Sequence, residues 1–198
     1  MRVSLAPIRK ASPGSNAGKA QALLDELGAR VVLGEATDCS EPVSPISPTA
    51  KTLFGPRGAL LASSEGPLFV CDTGHHRLLI WNSAPERSGT PADIVIGQPD
   101  FSSEGRNARG NVDAATVNVP TGIAASNGVL AVADAWNHRV LIWHSYPTRS
   151  NQPADVVLGQ TDFAGALANR GKVHATADTL NWCYGVAIAD GALYVADT

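Results

Sequence analysis

The amino-acid sequence predicts an all-β fold, an incomplete β-propeller of four-stranded antiparallel blades preceded by one short N-terminal helix, on three observations. The phrase Asp72-Thr73-Gly74-His75-His76-Arg77-Leu78-Leu79-Ile80-Trp81 returns as Asp134-Ala135-Trp136-Asn137-His138-Arg139-Val140-Leu141-Ile142-Trp143. It begins again at Val195-Ala196-Asp197-Thr198, with the aspartates 62 and 63 residues apart. A second phrase, Val32-Leu33-Gly34, Ile96-Gly97-Gln98 and Leu158-Gly159-Gln160, spaces its glycines by 63 and 62 residues. Between these marks each repeat holds four short apolar runs joined by turn residues, the content of one propeller blade.

Taken in order, residues 1–30 form a first region. Pro7, Pro13 and Gly14 among basic and small residues read as a tail, and Ser15 or Asn16 then caps a helix whose Ala20, Leu23, Leu24 and Leu27 share one face before Gly28 stops it. The second region, 31–198, holds the blades. Residues 29–34 read as a strand of the same type as Asp93–Gly97 and Asp155–Gly159, and Glu35–Lys51, rich in Pro and Ser, reads as a loop.

Each blade opens on a lead-in, Pro56-Arg57-Gly58, Pro120-Thr121-Gly122 or Cys183-Tyr184-Gly185. The first strand follows at Ala59–Ala62, Ile123–Ala125 and Val186–Ala189. Ser64-Glu65-Gly66, Ser126-Asn127-Gly128 and Asp190-Gly191 supply the hairpin turn. The second strand is Leu68–Cys71, Val129–Val132 or Leu193–Ala196, the third Arg77–Trp81 or Arg139–Trp143, and the fourth the Gly97- or Gly159-ended run.

These residues resemble the NHL repeat family of β-propellers. Val132-Ala133-Asp134, Asn137-His138-Arg139 and Val140-Leu141-Ile142 carry the likeness, while the first repeat departs from it with Cys71 and with His75 for the usual Asn. The resemblance spans roughly 31–198 and implies that first strands line a central channel, with the lead-in residues near one mouth of it.

The strand signals amount to one fourth-type strand, two full blades and two strands of a third, whereas closed propellers use about 4 to 8 blades. The expectation is a truncated or split form of a longer, six-bladed parent, or self-association of chains to complete a ring. The segments Gln98–Thr116 and Gln160–Thr179 exceed ordinary loop length, and Phe101, Phe163, Asn107-Ala108-Arg109-Gly110 and Ala168-Asn169-Arg170-Gly171 recur in them.

Function is read from what the repeat keeps and what it breaks. Asp72, His76, Arg77, Asp134, Asn137, His138, Arg139 and Asp197 keep the register, which marks them as structural, and Trp81 and Trp143 are expected to pack between blades. Arg57, Thr121, Trp136, His144, Trp182 and Tyr184 break it and are the candidate ligand-binding residues. No Cys-x-x-Cys pair, His-Glu-x-x-His run, Gly-x-Ser-x-Gly elbow or phosphate loop is present, so no catalytic residue, metal or cofactor is assigned. His75-His76, read as strand neighbours, would point to opposite faces. The reading is a binding or interaction module for a protein or small-molecule ligand. The alternative implied by the resemblance is a fragment of a six-bladed metal-dependent lyase or lactonase.

Bulk properties fit. At 198 residues, 44% hydrophobic and 17% charged, the chain is that of a folded protein, and a net charge of −3 gives no global attraction to nucleic acid or anionic lipid. Cys39, Cys71 and Cys183 are too few for a disulfide framework. No apolar run reaches the ~18 residues of a membrane span and Met1–Lys10 is too short for a signal core. A cytoplasmic location is therefore expected as written, with export open to a longer parent.

Overall fold

A computed structural model describes residues 29–34 and 47–198. The helix expected at 15–28 and Cys39 lie outside the described residues. Val31–Thr198 forms one unit, built of ten strands. Strands β1 (Gly58–Leu61), β2 (Leu68–Asp72), β3 (Arg77–Trp81) and β4 (Ile94–Ile96) make a meander in the order β1-β2-β3-β4. A second blade repeats it with β5 (Pro120–Ser126), β6 (Val129–Asp134), β7 (Arg139–Trp143) and β8 (Val156–Leu158). Strands β9 (Gly185–Ala189) and β10 (Ala192–Ala196) pair as a third, two-stranded sheet.

Register is the same in both full blades: Asp72 lies opposite Arg77 and Leu68 opposite Trp81, as Asp134 lies opposite Arg139 and Leu130 opposite Trp143. Because side chains alternate along a strand, each blade has two apolar faces. One face of the first blade, carrying Phe69, Cys71, Leu78, Ile80 and Ile96, packs on Leu130, Val132, Leu141 and Trp143 of the second. The phenyl of Phe69 meets Tyr146 edge-on at 5.1 Å. The second blade's other face, Ala131 and Val140, packs with Leu180, Val186, Ile188, Leu193 and Val195 of the third sheet. Each fully buried Leu, Ile or Phe contributes about 1.5–3 kcal/mol of transfer free energy, so these inter-blade layers hold the array together. Trp143 lies in the first junction as expected. Trp81 sits on the first blade's opposite face with Val70, Leu79 and Val95, against Leu33, Leu53 and Phe101.

The segment Val31–Gly34 differs from its expected form. It has no strand assignment, yet it holds a fourth-strand position. The Gly89 N–H donates to Val32 O at 3.0 Å and the Val32 N–H to Ser88 Oγ at 3.0 Å. Correspondingly, the Asn151 N–H donates to Val95 O and the Val95 N–H to Ser150 Oγ. A strand is defined by its ladder, and among the described residues no third strand lies beside 31–34 to form one.

His75 and His76 also depart from expectation. They lie in no strand: Thr73–His75 is a 3-10 turn and His76 closes it in the left-handed region at φ 53°, as His138 does after the turn Ala135–Asn137 at φ 52°.

Antiparallel order places the start of each first and third strand and the end of each second and fourth strand at one edge of the array. That edge carries the lead-ins, the 3-10 turns and the long loops. The opposite edge carries the hairpins after β1, β3, β5, β7 and β9.

Candidate functional site

The loop-bearing edge is built around two identical buried ion pairs. Arg77 Nε donates to Asp72 Oδ2 at 2.7 Å, and its terminal nitrogens donate to the carbonyls of Phe101, Thr49 and Thr52 at 2.8, 3.0 and 2.9 Å. Asp72 Oδ1 accepts the Phe54 N–H at 2.6 Å and Oδ2 meets His75 Nδ1 at 2.8 Å. In the second blade Arg139 bonds Asp134 at 2.7 Å and the carbonyls of Phe163, Asp113 and Thr116. Asp134 also accepts from the Asn118 N–H and from Asn137 Nδ2. All four charged residues are 0% exposed. Burial pushes the Asp134 carboxyl up, while Arg139, the Asn118 N–H and the Asn137 amide favour its ionised form. The guanidinium thus ties the second strand to two loops. Asp197, exposed, makes the same bond to the Asn181 N–H at 2.6 Å.

His76 and His138 serve a different purpose from these anchors. His76 Nδ1 accepts the Val119 N–H at 3.1 Å and His138 Nδ1 accepts the Trp182 N–H at 3.0 Å, each reaching from one blade to the lead-in of the next. The residue that bonds the buried aspartate is the preceding one, His75 or Asn137. Burial lowers the pKa of both His76 and His138. The Thr73 hydroxyl adds a further inter-blade link, donating to Pro120 O at 2.7 Å.

The long loops are ordered by their own side chains. Gln98 Nε2 spans to the carbonyls of His75, His76 and Gly105, and Gln160 Nε2 to those of Asn137, His138 and Leu167. Three consecutive left-handed residues follow, Asn107, Ala108 and Arg109 in one loop and Asn169, Arg170 and Gly171 in the next. Asn107 therefore corresponds to Asn169, one residue away from the alignment that the shared Arg-Gly suggests. The amide of Asn107 exchanges bonds with that of Asn137, locking the loop to the following blade.

One repeated element escaped the sequence reading. Thr49-Ala50-Lys51-Thr52, Asp113-Ala114-Ala115-Thr116 and Thr176-Ala177-Asp178-Thr179 each end on a threonine whose hydroxyl accepts the N–H three residues earlier. The 62–64 residue spacing of Thr52, Thr116 and Thr179 was the available signal, hidden because the first copy sits in a Pro/Ser-rich stretch.

Of the six candidate ligand residues, five lie at this edge and one does not. His144 follows the end of β7 on the opposite edge, where its N–H donates to Asp155 Oδ2 just as that of Asn82 donates to Asp93. Thr121 is buried, its hydroxyl donating to Tyr184 O at 2.8 Å, which makes it an inter-blade tie. Arg57 is exposed and borders an open apolar groove of about 430 Å³ between Leu33, Leu53, Leu68 and Val70. Tyr184 is half-exposed. Trp136 and Trp182 are 41% and 49% exposed.

Trp136 has a compensating partner. In the first blade Phe54 lies over Gly74, where an added Cβ would come within 2.5 Å of both the Phe54 ring and its carbonyl. The second blade puts Trp136 at the glycine position and the small Asn118 at the phenylalanine position. Trp136 thereby turns outward under Arg106, whose guanidinium carbon is 5.2 Å from the indole centroid. Trp182 stacks on His138 at 6.1 Å and 25°. Arg106 also lies close enough to His76 to lower its pKa. His76, Arg106, Trp136, His138 and Trp182 therefore form a linked aromatic and cationic strip across the junctions.

Burial pushes the Cys71 thiol up strongly and the Cys183 thiol up to about 12, so neither is a nucleophile near neutral pH. Among the described residues no group of three or more His, Cys, Asp or Glu side chains is placed to hold a metal ion.

Residues 117–143, from the lead-in of β5 to the last residue of β7, match the family model described as NHL repeat. The matched stretch holds the Asp134–Arg139 pair, the 3-10 turn and His138. No curated protein matches the chain.

Proposed function

We propose that this NHL-repeat chain is a β-propeller-type interaction module that engages its partner through the strip His76–Arg106–Trp136–His138–Trp182, with the blades as rigid support. One observation carries the reading. The polar side chains that recur in every blade are engaged with backbone groups and with one another, whereas large aromatic surface and an exposed guanidinium gather where the repeat is broken. Aromatic and Arg side chains are the groups that dominate recognition energetics when a partner excludes water from them. Recognition without turnover fits a chain whose ionisable groups at this edge are tied into its architecture.

The test compares partner capture by the wild-type chain, by the Trp136→Ala/Trp182→Ala variant and by His144→Ala on the opposite edge. Partners retained by His144→Ala and lost by the double variant support the reading. Equal capture by all three chains would move recognition away from the strip.

A further inference from the structure

The two left-handed histidines have a property beyond recognition. Each is the only link of its kind between a 3-10 turn and the backbone of the next lead-in among the described residues, and both links have the same geometry. The Val119 N–H meets His76 Nδ1 at 3.1 Å, and the Trp182 N–H meets His138 Nδ1 at 3.0 Å. The lead-in residues held in this way are themselves strained. Val119 lies at φ 56° and Trp182 at φ 53°, and a β-branched or bulky side chain rarely adopts that region without an external hold. An imidazole nitrogen that accepts a backbone N–H carries no proton, which fixes the neutral Nε2–H form. Protonation at Nδ1 replaces acceptance by donor–donor repulsion.

From this geometry we propose that His76 and His138 are two copies of a proton-sensitive latch between consecutive blades, closed while the imidazole is neutral and opened by acidification. Opening frees the Val119 and Trp182 N–H groups and lets their lead-ins leave the left-handed conformation. At His138 it also disturbs the Trp182 ring stacked on the imidazole.

The surrounding charges set the two latches apart. Around His76 stand Arg106 and His75, which disfavour a second positive charge, and Glu104 and Asp72, which favour it; burial outweighs them and lowers the pKa. His138 faces Asp197, which favours the proton, again against a larger effect of burial. In both cases the folded pKa lies below the ordinary value of 6.5. The unfolded chain therefore binds the proton first as pH falls. The stabilisation is complete above that value and is lost as pH falls through the window below it, down to the folded pKa. The latch stands whether or not the strip binds a partner.

The experiment is a nitrogen-15 NMR titration of the whole chain from about pH 7.5 to about pH 5, following both imidazoles and the amides of Val119 and Trp182. The expected result is the Nε2–H tautomer at the upper end. The two amides then shift with the midpoints of their own imidazoles, and their exchange protection, corrected for intrinsic rates, falls about tenfold per pH unit below those midpoints. His76→Asn keeps an acceptor at the δ position and tolerates a positive φ, but does not titrate. In that variant the Val119 amide stops responding to acid while Trp182 still responds, and His138→Asn gives the converse. Nδ1–H tautomers at the upper end, amides indifferent to the imidazole titration, or a response that survives the matching Asn substitution would each overturn the latch. Should either variant not fold, the wild-type tautomers and the coincidence of midpoints decide the matter alone.

Discussion

Replacing Asp134 with Ala should cost far more stability than the same change at Asp197, although the two residues occupy the same place in the repeat. Asp134 is 0% exposed and accepts three donors, from Arg139 at 2.7 Å, the Asn118 N–H at 2.6 Å and Asn137 at 2.8 Å. Its removal leaves a buried guanidinium without its counter-charge and two buried donors without an acceptor. Breaking a buried pair by removing one partner costs about 3–5 kcal/mol, a large part of the ~5–15 kcal/mol that holds a typical domain together. Asp197 is exposed and accepts one N–H, from Asn181. Loss of a single such bond costs about 0.5–1.5 kcal/mol. The assay is equilibrium urea unfolding of wild type, Asp134→Ala, Asp197→Ala and Arg139→Met, monitored by far-ultraviolet circular dichroism and tryptophan emission. Arg139→Met should match Asp134→Ala, because it strands the same carboxylate together with three carbonyls. Equal losses at Asp134 and Asp197, or a loss below about 1 kcal/mol at Asp134, would refute the idea that the buried pair anchors the blade.

Gly74→Ala should destabilise the first blade by about 1–3 kcal/mol, because its Cβ would fall 2.5 Å from the Phe54 ring and carbonyl. Adding Phe54→Asn, as in the second blade, should recover only the side-chain part of that loss, read from unfolding midpoints. Thr73→Val, which leaves the Pro120 carbonyl without its buried donor, should cost about 1–3 kcal/mol and raise amide exchange at the first junction. Under native conditions near neutral pH, iodoacetamide should spare Cys71 and Cys183 and label both once the chain is unfolded; peptide mass spectrometry showing native labelling of either would contradict their burial. His144→Ala should leave stability within about 0.5 kcal/mol of wild type, since its ring is exposed and its N–H bond is a backbone property.

Much of this protein was determined by its sequence alone. A period of 62 or 63 residues with four apolar runs per period admits one economical solution, a stack of four-stranded meanders. Alternation within each run dictates which side chains meet the next blade, so the assignment of Asp134, Arg139 and Trp143 as structural follows from their recurrence. Tertiary structure decided what periodicity cannot encode. Which of two adjacent histidines meets the aspartate depends on a 3-10 turn and a left-handed residue, and only the folded turn distinguishes His75 from His76. His144 broke the repeat as visibly as Trp136 did, yet strand direction puts them at opposite edges of the array. Thr121 was equally visible, and its hydroxyl was already committed to the carbonyl of Tyr184, a residue 63 positions away. The alternation of Phe54/Gly74 with Asn118/Trp136 reads as four unrelated substitutions until a Cβ is placed on Gly74. Local propensity and periodicity select the blade, whereas the chemistry exposed at its edge depends on contacts between residues a whole repeat apart, and packing alone fixes those.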